Sequence, residues 1–405
     1  MAAFATQGHS DLDVRGWLQM KLVLGVDAVR YPLTGIGRYT YELARGLEQK
    51  SEIEHLRYFA GHQLQAALPE PHLSGSEQAR ADSVRSMKLM LLKSRLAVGL
   101  HRGLKSVLQA RALKSLKDYV YHGPNYYLPP HGGPCVATFH DLSMFKHPEF
   151  HPPERVRYMA QELPVALKRA SVLLTDCEYT RQEIIEYSGF PADRVLSVPL
   201  AASGDFRPRT HDECIAVLVR LGVEYKRFVL FAGTIEPRKN ISGLLDAYER
   251  LPEATRKHYP LVIAGYRGWR SEELHARIVS AQEQGWVRHL GFVHNADLPV
   301  LFSAAQAFAF PSFYEGFGLP VLEAMACGVP VVCSNASSLP EASGGYALSC
   351  DPEDIETLTM LLVRAIEDEG WRAEARINGV AHAATFSWSR VVSETMHSYR
   401  LALTL

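Results

Sequence analysis

Residues Pro311 to Ser334 run PSFYEGFGLPVLEAMACGVPVVCS. This stretch predicts a loop, a short helix and a strand. Proline is tolerated in the first helical turn, so Leu319-Pro320 marks the helix start. Gly328 falls where a glycine closes a helix. Val329-Pro330-Val331-Val332 then reads as a buried strand entered through a proline. The glycines of Gly316-Phe317-Gly318 let backbone amides approach a ligand, and the helix N-terminus behind them favours an anion. Glu315 and Glu323 flank this loop with seven residues between them. A carboxylate beside a phosphate site repels the phosphate unless it serves another part of the ligand. Sugar hydroxyls fit that role, since an ionised carboxylate accepts hydrogen bonds from them. The alternative is a structural helix cap with two solvated acids.

The 405-residue length implies two domains. The apolar fraction of 47% and charged fraction of 21% are those of a globular chain. With 43 Lys and Arg against 44 Asp and Glu, no overall charge draws the protein to nucleic acid. The six cysteines (135, 177, 214, 327, 333 and 350) are scattered without a C-x-x-C pair, which predicts reduced, buried thiols. No apolar run reaches the roughly 18–20 residues of a membrane span. Residues 1–19 are expected to be a disordered extension, with Met20 the natural start. Residues 20–200 form the first domain, 201–385 the second, and 386–405 a terminal amphipathic helix.

Along the first domain, Lys21 to Asp27 is a buried parallel strand. A glycine-containing turn (Gly35-Ile36-Gly37) and a helix with Tyr39, Leu43 and Leu47 on one face follow. A dinucleotide fingerprint fails here, because Thr40 occupies the third glycine position. From Ser83 to Lys117 nine Lys and Arg residues alternate with leucines and methionines, and no Asp or Glu intervenes. This basic amphipathic helix pair suits an anionic membrane surface; a solvated face is the alternative. The run lacks aromatic residues, which disfavours nucleic acid. Val136-Ala137-Thr138-Phe139 is a strand ending at His140-Asp141, where ligands of open α/β sheets bind. In the second domain the strand Phe228 to Ala232 leads into Gly233-Thr234-Ile235-Glu236-Pro237-Arg238-Lys239-Asn240, whose cations suit a phosphate site.

Taken together, the E-x7-E stretch and the G-T-x-E-P-R-K-N segment resemble the retaining family 4 glycosyltransferases. The likeness covers nearly the whole chain from Met20. It implies the GT-B fold: two facing, Rossmann-like, doubly wound α/β domains with a nucleotide-sugar donor in the cleft, and the terminal helix crossing back onto the first domain. By resemblance, Glu315 and His140 meet the donor sugar and Glu323 holds the ribose. Phe317, Gly318 and Leu319 lie against sugar and diphosphate through their amides. Gly35 and Gly37 face the diphosphate from the opposite side, and Arg238 and Lys239 bind it. Thr234 stands where many members carry arginine, and Val293 flanks the base through its backbone. Neither a catalytic metal nor another cofactor is implied. The segments GIGRYTYEL, FHDLSMFKHPEF and GTIEPRKN further resemble mannosyl- and rhamnosyltransferases of bacterial O-antigen assembly. That implies GDP-mannose or GDP-rhamnose as donor, a lipid-linked saccharide acceptor, and a cytoplasmic enzyme peripherally bound to the inner face of the cytoplasmic membrane. A UDP- or dTDP-sugar transferase, a non-catalytic nucleotide-sugar sensor and an NAD-dependent oxidoreductase are the rival readings.

Overall fold

The computed structural model describes residues 19–31, 33–69 and 95–405. Residues 1–18, which make up nearly all of the expected extension, and the Ser83–Ser94 part of the basic run fall outside the described residues.

Two sheets organise the chain. The first contains β1 (Met20–Gly25), β2 (Ile53–Ala60), β3 (Gln63–Gln65), β4 (Val120–Gly123), β5 (Cys135–Phe139), β6 (Val172–Thr175) and β7 (Val195–Ser197), in the order β3-β2-β1-β4-β5-β6-β7. Only β3 runs antiparallel. The second contains β8 (Val229–Ala232), β9 (Leu261–Ala264), β10 (Val287–Gly291), β11 (Ala307–Phe310), β12 (Val331–Ser334) and β13 (Leu348–Cys350), in the order β10-β9-β8-β11-β12-β13. Strands buried on both faces need apolar side chains throughout, which is how VLFA and AFAF read. In each sheet the strand order reverses beside the first strand, between β1 and β4 and between β8 and β11. Such reversals open a crevice at the C-terminal strand ends, where ligands bind.

Local chemistry sets the decisive loops. Helix Leu319–Ala326 begins at the expected leucine, with Gly318 before it at φ 100°. That left-handed backbone is open to glycine at little cost. Gly328 closes the helix at φ 66°. The expected strand at 329–332 is shifted: Pro330 gives its carbonyl to Phe308 and β12 starts at Val331. Gly35-Ile36-Gly37, expected as a turn, is instead the first turn of helix Gly35–Leu47, preceded by Thr34. The expected basic helix pair appears, among the described residues, as helix Arg95–Leu113. All six cysteines are buried free thiols.

Several contacts bring the domains together. The Leu142 amide donates to the Tyr314 hydroxyl at 3.2 Å, and that hydroxyl donates to Glu183. The Glu341 carboxylate accepts from the amides of Glu178 and Tyr179 at 2.9 and 2.7 Å. Those amides open helix Glu178–Ser188, so a C-domain carboxylate caps an N-domain helix. Trp269 Nε1 donates to the Phe150 carbonyl at 2.7 Å.

The terminal helix, Trp388–Thr404, packs on the first domain. Its Tyr399 hydroxyl hydrogen-bonds with His122 Nδ1 at 2.7 Å, and His122 Nε2 with Thr138 Oγ1 at 2.9 Å. Burial pushes the His122 pKa down to about 3, so the ring is neutral. On the same terminal helix, Val392 Cγ2 would stand 2.3 Å from a Cβ on Gly46. Val392 is fully buried and has nowhere to go. Gly46→Ala is therefore expected to lose about 1–3 kcal/mol by overpacking, despite the helix propensity gained. A thermal melt tests this; an unchanged or higher Tm would refute the close packing.

Candidate active site

The second domain builds the site from the loops after its two switch-point strands. The loop after β8 carries Glu236, Arg238 and Lys239; the loop after β11 carries Glu315. Pro237–Lys239 forms one tight helical turn, and Asn240 at φ 53° caps helix Ile241–Glu249 by accepting from the Gly243 amide. This geometry turns both cations toward Glu315. Lys239 Nζ lies 2.7 Å from Glu315 Oε1, and Arg238 Nη1 lies 2.9 Å from Oε2. Arg238 also donates to the Tyr314 carbonyl at 2.7 Å and to Glu236 at 2.8 Å. Lys239 stands over the Phe310 ring.

Burial alone would raise the Glu315 pKa, but Arg238 and Lys239 overcome it and hold the carboxyl at about 2. Glu315 is therefore ionised and can accept sugar hydroxyls. Arg238 gives four of its five N–H groups to Glu236, Glu315 and the Tyr314 carbonyl, which ties the two loops together. Lys239 gives one N–H to Glu315, which leaves two without an acceptor among the described residues. Thr234 is half-buried beside them and brings no charge.

The loop before helix Leu319–Ala326 supplies the donors. Among the described residues, nothing accepts from the amides of Phe317, Gly318 and Leu319. Free amides at a helix N-terminus bind anions. The Phe317 side chain is turned into the core against Phe386, which leaves its backbone to the cleft. Across the cleft, helix Gly35–Leu47 opens with Gly35, Ile36 and Gly37, whose amides also lack acceptors among the described residues. Gly35 has open space at its missing Cβ, whereas a Cβ at Gly37 would stand 2.7 Å from the Ala28 carbonyl. Gly37 thus serves packing as well.

Glu323 sits in the first turns of its helix, 7% exposed. Its nearest cation is Arg38 of the first domain, 3.9 Å away. Burial raises the Glu323 pKa, Arg38 offsets part of the rise, and the carboxyl ends at about 7. A second bridge is purely backbone: a Cβ on Gly316 would stand 1.8 Å from the His140 carbonyl oxygen. Only glycine fits there. The Gly316 carbonyl in turn accepts from Cys177 Sγ and Thr180 Oγ1. His140 follows β5 at the cleft edge, but its ring is engaged within the first domain, Nδ1 with Asp176 at 2.7 Å and Nε2 with the Pro124 carbonyl at 2.8 Å. Val293 is buried in the loop after β10. Next to it, exposed Phe292 stacks on exposed Tyr266 at 5.8 Å.

Sequence reading missed Arg38, Asp176, Glu236 and the serines that fix Glu315. The Ser337 hydroxyl accepts from the Glu315 amide at 2.8 Å, and Ser338 donates to its carbonyl at 2.9 Å. Asp176 ends β6 as His140 ends β5, so the same strand-end rule could have found it. Arg38 directly follows the G-I-G signal. No sequence signal marked the serines.

A stability prediction follows from Glu323. Its folded pKa lies above its ordinary value, so its contribution is favourable below about pH 4.5 and is lost as pH rises through about 7. Glu323→Gln should thus raise stability above about pH 8, by at most about 3 kcal/mol, with little gain near pH 4. Denaturant melts at both pH values measure it; equal effects at the two would refute the buried, proton-binding carboxyl.

Comparison with known proteins agrees with this architecture. Residues 33–201 match the family described as Glycosyltransferase Family 4, and residues 220–381 match Glycosyl transferases group 1. The O-antigen chain mannosyltransferase B of Escherichia coli is 43% identical over 382 residues, 94% of this chain and 100% of its own length. The serotype-specific mannosyltransferase WbdA of Escherichia coli is 35% identical over 230 residues, 55% of this chain and 28% of its own length. Among solved structures, Anabaena HepE in complex with UDP and glucose matches 94% of this chain and 99% of its own with TM-score 0.67 at 18% identity. WaaG, a glycosyltransferase involved in lipopolysaccharide biosynthesis, matches 92% of this chain and 98% of its own with TM-score 0.68 at 15% identity. At such identities the structures speak for the fold alone, and that fold is GT-B. The full-length likeness to the first relative carries the rest: this chain is an enzyme of the family 4 glycosyltransferases.

Proposed function

We propose that this enzyme transfers mannose, or its deoxy relative D-rhamnose, from the GDP-sugar to a lipid-linked saccharide during O-antigen biosynthesis, with retention of anomeric configuration. The observation that carries the donor reading is the cluster of Lys239, ionised Glu315 and the free amides of Phe317 to Leu319 around one helix N-terminus. It offers positive charge to a diphosphate and an acceptor to sugar hydroxyls within one loop's reach. The 43% identical relative, named an O-antigen chain mannosyltransferase, supports mannose as the sugar and a polysaccharide as the product.

In the proposed complex the diphosphate lies on the free amides and Lys239. Glu315 takes sugar hydroxyls and Glu323 the ribose, while Gly35 to Gly37 close from the first domain. Arg38 keeps Glu323 in reach across the cleft. Charge building on the departing phosphate is met by fixed amide dipoles and Lys239, which need no reorganisation. A front-face path, in which the departing diphosphate helps deprotonate the acceptor, asks for no carboxylate nucleophile.

A thermal-shift panel of nucleotide sugars tests the donor. A ligand at one hundred times its Kd stabilises by about 2.7 kcal/mol. GDP-mannose or GDP-rhamnose should raise Tm, UDP- and dTDP-sugars should not, and Lys239→Ala should remove most of the shift. A shift confined to UDP- or dTDP-sugars would overturn the donor assignment. Binding of GDP-mannose without turnover of a lipid-linked saccharide would leave a sensor.

The membrane reading rests on residues 83–117. Among the described residues, Leu104 and Val107 are exposed beside exposed Lys105, Arg111, Lys114 and Lys117. No described helix is long and apolar enough to cross a membrane. We place this face on anionic lipid at the inner leaflet, each cation contributing roughly 1 kcal/mol, screened by salt. The chain should co-sediment with anionic vesicles at low salt and release at high salt. Lys105, Arg111, Lys114 and Lys117 changed together to Gln should weaken this and leave GDP binding intact. Failure of the unmodified chain to bind at low salt would reduce the run to a solvated face.

A further inference from the structure

His140 stands at the cleft edge, 8% exposed, and both of its ring nitrogens face groups that accept hydrogen bonds. Nε2 lies 2.8 Å from the Pro124 carbonyl oxygen, which can only accept, so Nε2 carries a proton. Nδ1 lies 2.7 Å from Asp176 Oδ2. Two lone pairs cannot face each other at that distance, so a second proton lies between them. Asp176 is 3% exposed, and its other oxygen, Oδ1, is buried with no hydrogen-bond partner among the described residues. Burial raises the Asp176 pKa, and a carboxylate so placed stays ionised only against a charged partner.

We propose that Asp176 is a positioning residue: it keeps His140 as an imidazolium, clamped between the Asp176 carboxylate and the Pro124 carbonyl, so that His140 serves the transfer as a fixed cation and not as a base. The functional half rests on the transferase reading above. The ring's own backbone carbonyl packs on Gly316, in the loop whose amides await the diphosphate. A positive charge held there favours the phosphate as it departs.

The surroundings fit a single cation. Tyr39 from helix Gly35–Leu47 meets the ring edge-on at 4.9 Å, and Tyr126 from the loop after β4 lies at 6.4 Å. Burial holds both phenols neutral. His122 on β4 is neutral as well, pushed down to about 3. Asp141, next in the chain, adds negative charge. Burial works against the imidazolium, yet the Asp176 carboxylate with its bond, the Pro124 carbonyl and Asp141 outweigh it and raise the His140 pKa.

Asp176→Asn separates charge from shape. The asparagine amide can donate to Nδ1 while Nε2 still donates to Pro124, so both bonds survive around a neutral ring. NMR of the full chain labelled with 15N-histidine reads the ring directly, the His140 signal being assigned by its loss in His140→Gln. The unmodified protein should show both His140 nitrogens protonated at about pH 7.5, where an ordinary histidine has lost one proton. A single protonated nitrogen there overturns the proposal, and needs neither donor nor turnover. In Asp176→Asn, kcat should fall about tenfold near pH 8 and less near pH 6, where an ordinary imidazole recharges, with KM little changed. Asp176→Glu should restore much of the loss. An unchanged kcat–pH profile in Asp176→Asn also overturns the proposal. If Asp176→Asn fails to fold, the NMR of the unmodified chain decides alone. If the unmodified protein binds no nucleotide sugar, the transferase reading fails while the NMR result stands on its own.

Discussion

The carboxylate of Glu315, shared between Arg238 and Lys239, is the contact on which the cleft depends. Three ionised groups are removed from water at the switch point of the second sheet. Desolvation of this kind is tolerated only when each charge meets a partner in good geometry. The fold meets that demand from two loops far apart in sequence, Lys239 and Glu315 standing 76 positions apart. Glu236 takes two further donors of Arg238, and Ser337 and Ser338 hold the Glu315 backbone. The outcome is a loop whose conformation is fixed before any ligand arrives. Among the described residues, the amides of Phe317, Gly318 and Leu319 have no acceptor.

From that cluster the rest of the seam follows. Gly316, immediately after Glu315, must pass so close to the His140 carbonyl that no side chain fits between them. Tyr314, immediately before it, reaches Glu183 and the Leu142 amide in the first domain. Three consecutive residues therefore set the charge cluster, the backbone approach and the polar bridge. Two helix N-termini face each other across this seam, one from each domain, and Arg38 and Glu323 link their first turns. The terminal helix fastens the first domain through Tyr399 and His122, and His122 continues through Thr138 to Tyr39, which packs on His140.

Electrostatics differ between the two glutamates of the E-x7-E pair, although they share one helix entrance. Glu315 has two close cations and stays ionised. Glu323 has one distant cation and a buried setting, and takes up a proton near neutrality. Sequence spacing treats the two alike. Their opposite shifts arise from what each side chain meets across space.

The alternation of apolar strands with amphipathic helices, together with the glycines and proline that frame residues 311–334, determined the doubly wound architecture in advance. These are local signals, set by backbone sterics and by periodicity, and they need no distant partner. The same holds for Lys239, Glu315, Glu323, Gly318 and His140, each placed at a strand end or helix start by residues beside it. Tertiary structure alone decided how they work. Arg238 reads from sequence as a free cation, and in the fold four of its N–H groups go to Glu236, Glu315 and the Tyr314 carbonyl. His140 reads as a sugar contact, yet Asp176 and Pro124 occupy its ring. Arg38, Ser337 and Ser338 join the site only when two domains or two loops meet. The physical reason is common to all of them. A side chain's charge state and free hydrogen bonds depend on burial and on partners tens to hundreds of residues away, which neither propensity nor spacing encodes.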